Sequence, residues 1–287
     1  MMAKTAEIAR DFHGPKLYQE RARVVLPILV RQAEAKHPVF YEALAQEVGM
    51  PNPRNLNYPL GCIGRTLNNV GKEWGSDVPP IEALVVNQET RLPGPGFDGF
   101  LVEKGENWNS KEERKSLIEQ YWARIYSYPY WDDVLKELKL VKTADPAKAV
   151  IAKAGGSGGG EGPEHLALKL FVCANPQAVG LRKTDLAGRP EYCLPSGDKI
   201  DVVFDYSRRI HAVEVKPKSS PEGDLARGLF QCVKYRAVLQ ALARYEHDKR
   251  NITVCLALGG SLPPQLVPLR NSLNVDVFEN LSPSGRR

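Results

Sequence analysis

Three residues stand out because their types and spacing could do chemistry together. Asp201 opens the apolar run IDVVF at residues 200–204, and Glu214 and Lys216 close the run HAVEVK at residues 211–216. Side chains alternate along a strand, so Glu214 and Lys216 share one face while Val213 and Val215 turn to the other. A tight turn at Ser207 and Arg208 would fold the two runs into a hairpin and bring Asp201 within reach of Glu214. Two carboxylates can hold a divalent cation such as Mg²⁺, with Mn²⁺ as the alternative, and the cation neutralises a phosphate and activates water. A neighbouring ammonium can orient that water and offset developing negative charge. Pro217 then ends the strand and leaves the group at a sheet edge. The chemistry expected is hydrolysis of a phosphodiester.

A second group lies on the long helix predicted over residues 224–245. Gln231 and Tyr235 form Q-x-x-x-Y, a spacing that places both on one helix face, and Arg227 joins them one turn earlier. Lys234 borders the same face. These four are the candidate nucleic-acid contacts. Plainer readings compete with the functional ones. Glu214 and Lys216 could form a surface ion pair of little energetic consequence, although the apolar settings VVF and AVEV favour a functional reason for a charge there. Asp198, in a Ser-Gly-Asp turn, is the alternative to Asp201. His165 reads first as a solvated or core-edge histidine and second as a catalytic assistant. His211 lies out of phase with Glu214 and reads as structural, and Asp205 reads as a strand-end residue.

The segments GEGPEHLALK, GDKIDVVF, HAVEVK and QCVKY, taken in order, resemble the PD-(D/E)xK nuclease superfamily. The resemblance covers about residues 160–258. It implies an α/β fold, a restriction-endonuclease-like mixed sheet flanked by helices. It implies a metal held by Asp201, Glu214 and the Val215 carbonyl, with Lys216 as the catalytic lysine. A glutamate from the preceding helix usually joins such a site; Glu164 is the first choice and Glu161 the reserve. In several branches of the superfamily the Gln-x-x-x-Tyr helix faces the active site and contacts DNA or the lysine. Ile200 stands where the motif name has proline, a position that varies widely. The function implied is a Mg²⁺-dependent DNA endonuclease, by analogy one of restriction or phage defence. The rivals are a non-catalytic DNA-binding protein that keeps the fold, a repair or toxin nuclease acting on other nucleic acids, and an interaction scaffold.

The elements that must position these residues follow from pattern and punctuation. Residues 163–174 have a helical apolar spacing, with Pro163 in the first turn. Strands are expected at 190–194, 200–206 and 209–216, with further strands at 252–258 and 275–278. Ahead of them, AGGSGGG at residues 154–160 reads as a flexible linker, so the domains expected are 1–153, the linker, and 161–287. The first domain should be mainly helical. Helices are expected at 16–36 (kinked or divided at Pro27), 38–48 and 56–73, then a strand at 81–87 and a Gly/Pro-rich turn, the order of elements in a winged helix-turn-helix. Arg54, Asn55, Asn57, Arg65, Asn68, Asn69 and Lys72 would lie on or before its recognition-like helix. Ser110 and Glu113 form a capping box for a helix to about Ser127, and a short helix follows at 131–140. Tyr121, Trp122, Tyr126, Tyr128, Tyr130 and Trp131 read as packing core ahead of a base-stacking surface.

Composition is that of an ordinary globular chain of 287 residues, 43% hydrophobic and 25% charged, with a net charge of +5 that falls mostly after residue 154. That charge permits nucleic-acid binding without requiring it. The cysteines form no CxxC pair, against both a zinc site and a disulfide framework. No signal peptide or membrane-length apolar run is seen, so a cytoplasmic protein with DNA as partner is expected. Two-strand cleavage calls for two active sites, which a homodimer would supply.

Overall fold

The computed structural model describes residues 12–151, 162–182 and 187–283. The expected linker at 154–160 and Glu161 lie outside the described residues. The chain divides into two compact units, Met1–Asp145 and Pro146–Arg287.

The first unit is mainly helical: α1 (Leu17–Ala35), β1 (Val39–Phe40), α2 (Tyr41–Glu47), α3 (Asn57–Trp74), β2 (Val85–Val86), α4 (Asp98–Glu103), α5 (Lys111–Ser127) and α6 (Trp131–Glu137). Helix α1 is not divided at Pro27 but runs through it. Val25, Leu26, Leu29 and Val30 around the proline are wholly buried. Burying such side chains contributes about 1.5–3 kcal/mol each, enough to offset the ~3 kcal/mol of an internal proline. The helix expected from residue 38 gives its first residues to β1, and of the strand expected at 81–87 only Val85 and Val86 pair, in parallel with Val39 and Phe40. Residues Ile81–Leu84 instead form a turn of 3-10 helix. After β2 the chain bends, with the Asn87 N–H on the Leu92 carbonyl at 2.9 Å. Among the described residues β2 pairs with β1 alone, so the strand hairpin expected of a winged helix-turn-helix is not formed there. Ser110 caps α5 by accepting the Glu113 N–H at 3.1 Å, while Glu113 reaches back to the Asn109 N–H at 2.6 Å. Tyr121 and Trp131 are buried in the core, with Trp122, Tyr126 and Tyr128 packed on it.

The second unit is mixed α/β: α7 (Pro146–Ile151), α8 (Pro163–Ala174), β3 (Arg189–Cys193), β4 (Lys199–Tyr206), β5 (Arg209–Lys216), α9 (Glu222–Tyr245), β6 (Asn251–Leu258), α10 (Val267–Leu273) and β7 (Asp276–Phe278). Helix α7 packs with α10 in this unit rather than with the residues before it. The five strands lie in the order β3-β4-β5-β6-β7. The first three are antiparallel, and β6 and β7 continue the sheet in parallel with β5. One face packs under α9 and α10 through Ile200, Val203, Ala212, Leu229, Cys232 and Leu256. The other packs under α8 through Leu168, Val172, Val202, Phe204, Val213 and Val215. The alternation that marked β4 and β5 in the sequence is this two-sided burial. No described helix is long and apolar enough to cross a membrane.

Candidate functional site

The site forms where the β4–β5 hairpin opens. The two strands pair from Tyr206 and Arg209 up to Val202 and Val213. Beyond that point β5 continues to Lys216 on its other partner, β6. Asp201, the next residue of β4, replaces a missing ladder bond with its side chain: its Oδ2 accepts the Val215 N–H at 2.8 Å. The carboxylate therefore stands in the gap between the strands rather than over one face.

Glu214 and Lys216 face α9. Glu214 is buried, and its Oε1 meets the Lys216 Nζ at 2.9 Å. On the second side of the ammonium, Asp224 from the first turn of α9 stands at 3.9 Å. Gly228, one turn on, lets the helix close over the lysine stem: a Cβ there would lie 3.2 Å from the Lys216 Cε and 2.9 Å from the Leu256 Cδ1. Tyr235 donates its hydroxyl proton to the Lys199 carbonyl at 3.0 Å and receives the Gln231 Nε2–H at 3.3 Å. The same hydroxyl also interacts with the Glu214 carboxyl. Gln231 Oε1 is buried without a hydrogen-bond partner among the described residues. Burial, with the Asp201 charge second, pushes the Glu214 carboxyl up to about 7. Burial works against the Lys216 charge as well, but Glu214, Asp224 and Asp201 outweigh it and hold the lysine protonated above its ordinary range. Two carboxyl groups thus flank the ammonium, and the charge of a third, Asp201, acts on it.

The helix on the other face supplies a different residue from the one expected. Pro163 starts α8 after an extended Gly162, which puts Glu164 and His165 in its first turn. Glu164 turns to solvent and accepts the Ser219 hydroxyl at 2.5 Å, away from the carboxylate pair. Successive helical residues point ~100° apart, and His165 takes the inward place. Its Nε2 lies 3.3 Å from Asp201 Oδ2 and 3.1 Å from the Val215 carbonyl oxygen. Further along this face Lys169 is buried, with its ammonium 2.5 Å from Glu191 of β3. Glu191 holds a left-handed backbone at φ 53°. The helical spacing of His165, Lys169 and Cys173 was the one signal in the sequence that could have singled out this stripe.

The remaining candidates fall outside this centre. Arg227 and Lys234 are exposed and paired with Asp224 at 3.4 Å and Asp198 at 2.7 Å. Asp198 also accepts the Ser196 hydroxyl at 2.6 Å in its turn and does not replace Asp201. Tyr235, unlike the other three residues of its group, is buried, so its hydroxyl serves the interior of the site. His211 lies buried on Thr253 at 2.7 Å and Cys255 at 3.3 Å, and burial pushes it down to about 4. Asp205 pairs with Arg250 at the strand end.

Among the described residues no three His, Cys, Asp or Glu side chains are grouped to hold a metal ion by themselves. What converges is two side chains and a main-chain oxygen: Asp201 Oδ2, His165 Nε2 and the Val215 carbonyl. Donors ~2.1 Å from an octahedral ion stand about √2 times that apart, roughly 3.0 Å. The separations of 3.1 and 3.3 Å from Nε2 are close to that spacing, and equally close to an Nε2–H shared between two oxygens. Comparison with family models, curated proteins and solved structures returns no match to this chain, so its site is read from its own geometry.

Proposed function

We propose that the second unit is a divalent-metal-dependent nuclease of the PD-(D/E)xK kind, with a restriction-endonuclease-like sheet, cutting DNA as an endonuclease. One observation carries the reading. The Asp201 carboxylate and the Val215 carbonyl meet at the open end of the β4–β5 hairpin, beside a buried Glu214–Lys216 pair. A stability-driven fold has little reason to bury a carboxyl group and a lysine beside a second carboxylate at a sheet opening.

Asp201, the Val215 carbonyl and Glu214 would hold Mg²⁺ or Mn²⁺, with His165 as a further donor in place of Glu164. Bound there, the cation supplies charge neutralisation at the scissile phosphate and a bound water of lowered pKa. Lys216 keeps its proton because the surrounding carboxyl groups hold it, so it presents a fixed positive charge to the attacking water and the phosphate. Gln231 and Tyr235 steady the Glu214 side of the site. Arg227 and Lys234, exposed on α9, are placed to meet the phosphate backbone.

The test is cleavage of supercoiled plasmid in Mg²⁺ or Mn²⁺, with single-stranded DNA and RNA as parallel substrates. Asp201→Ala and Lys216→Ala should each lower cleavage by about 10²- to 10³-fold, a fall typical of lost transition-state electrostatics. Variants that cut as fast as the parent protein would defeat the proposal.

A further inference from the structure

The first unit holds a pocket of about 200 Å³, flanked by α3, the start of the described chain and the end of α6. Its lining mixes apolar Phe12, Val70 and Leu138 with polar Arg65, Asn69, Glu73 and Glu137. None of those four side chains makes a hydrogen bond or ion pair to another described residue. Apolar side chains beside a few uncommitted polar groups are the general form of a small-ligand site. Drug-sized ligands fill about 300–1,000 Å³, so this volume suits something smaller, of the size of a single base.

Arg65, Asn69 and Glu73 recur every four residues on one stripe of α3, which spans roughly 12 Å from first to last. The stripe sets a guanidinium at one end and a carboxylate at the other. A guanidinium is a fork of donors only, and a carboxylate is a pair of acceptors only. A neutral ligand that satisfies both needs two adjacent acceptors on one edge and two adjacent donors on another. Among the bases guanine alone has both: O6 and N7 accept, and N1–H and N2–H₂ donate. Adenine places an acceptor beside its amino group, where the carboxylate would repel it. We infer that this pocket binds a guanine base, with Arg65 on the O6/N7 edge, Glu73 on the N1/N2 edge and the Phe12 side stacking beneath. The base could come from a free nucleoside or be unstacked from a strand, as in enzymes that read an everted base. The inference does not depend on the second unit's being a nuclease.

Binding is measured by calorimetry on the whole chain in EDTA, with guanosine, adenosine and cytidine, and with oligothymidylates that carry one central dG or none. Guanosine, or the dG oligonucleotide relative to the plain one, should bind at least about tenfold more tightly than its control. Preference for guanosine itself identifies a pocket open to free nucleosides, and preference shown only by the oligonucleotide identifies a base drawn from a strand. Arg65→Ala and Glu73→Gln should each weaken the preferred ligand about ten- to a hundredfold, the loss of one bidentate pair. Glu73→Gln keeps the side-chain shape at an exposed position, so its loss would not reflect misfolding. Equal binding of all bases, no binding of any, or binding unmoved by both substitutions would overturn the assignment.

Discussion

Each unit buries charge, but in different proportions. In the first, Arg31 and Glu47 meet at 2.6 and 2.9 Å through two guanidinium nitrogens, with side chains 8% and 6% exposed. In the second, Glu214 and Lys216 are just as enclosed, but Asp224, which also holds Arg227 at its exposed side, stands beside the ammonium and the Asp201 charge acts on both. A pair matched in charge answers most of its own field. An unmatched cluster carries an unsatisfied field that a proton or a metal ion can answer. The balance of charge, rather than its burial, separates the pair that holds a helix packing together from the group placed to act on a ligand.

The largest effect expected from this contrast lies in the first unit. Arg31→Met removes the guanidinium that faces the buried Glu47 carboxylate and should cost about 3–5 kcal/mol, read as a lower midpoint in urea unfolding. Plasmid cleavage by the folded fraction should change less than about twofold. If cleavage falls with stability unchanged, the matched pair belongs to the functional machinery and the distinction drawn from charge balance fails.

The next effect concerns the residue that α8 turns toward Asp201. His165→Ala should lower plasmid cleavage about a hundredfold, as the loss of a ligand or its immediate support does. Glu164→Ala should lower it less than about threefold, because Glu164 faces Ser219. The reverse ranking would restore the glutamate expected from the sequence and leave His165 with a structural role.

That exchange marks the limit of what the sequence could convey. The strands, the Ser207-Arg208 turn and helix Pro163–Ala174 were legible because alternating Val and Ala residues, Gly and Pro punctuation and helical spacing are local signals. The shared face of Glu214 and Lys216 was legible because strand parity fixes it, whereas the seat of the Asp201 carboxylate between the strands was not. Which of Glu164 and His165 points inward depends on the rotation of α8 against the sheet, a tertiary quantity with no local trace. Lys169 was missed for the same reason, since its partner Glu191 lies 22 residues away on an edge strand. The two-residue strands Val39–Phe40 and Val85–Val86 and the seven-residue helix Val267–Leu273 are too short to show a period. The first unit's pocket was not legible either, because Phe12 and Glu137 join Arg65 only in the folded chain.

The smallest effect expected is in the pH dependence of stability. Burial, helped by Asp201, raises the Glu214 carboxyl from 4.5 to about 7. A carboxyl whose native pKa is raised contributes stability that is fully present below its unfolded pKa and lost as pH climbs through the native one. In EDTA, Glu214 should therefore remove about 3 kcal/mol from the second unit between pH 4.5 and 7. His211, pushed down to about 4, acts in the opposite sense and loses stability as pH falls from 6.5 toward 4. The raw profile mixes the two, so the informative quantity is the difference between the parent protein and Glu214→Gln at each pH. That difference should grow steadily from pH 4.5 to 7 in favour of the variant, because the amide carries no charge to be stranded beside Asp201. The first unit offers a control in Glu82, a lone buried carboxyl raised by burial to about 7. Glu82→Gln should flatten the same window in the first unit's own transition, provided the two units unfold separately. A difference curve for Glu214→Gln that stays flat would mean that Glu214 is ionised and fully compensated in the native state. Its pair with Lys216 would then be as self-sufficient as Arg31 with Glu47, and the contrast between the two units would lose its basis.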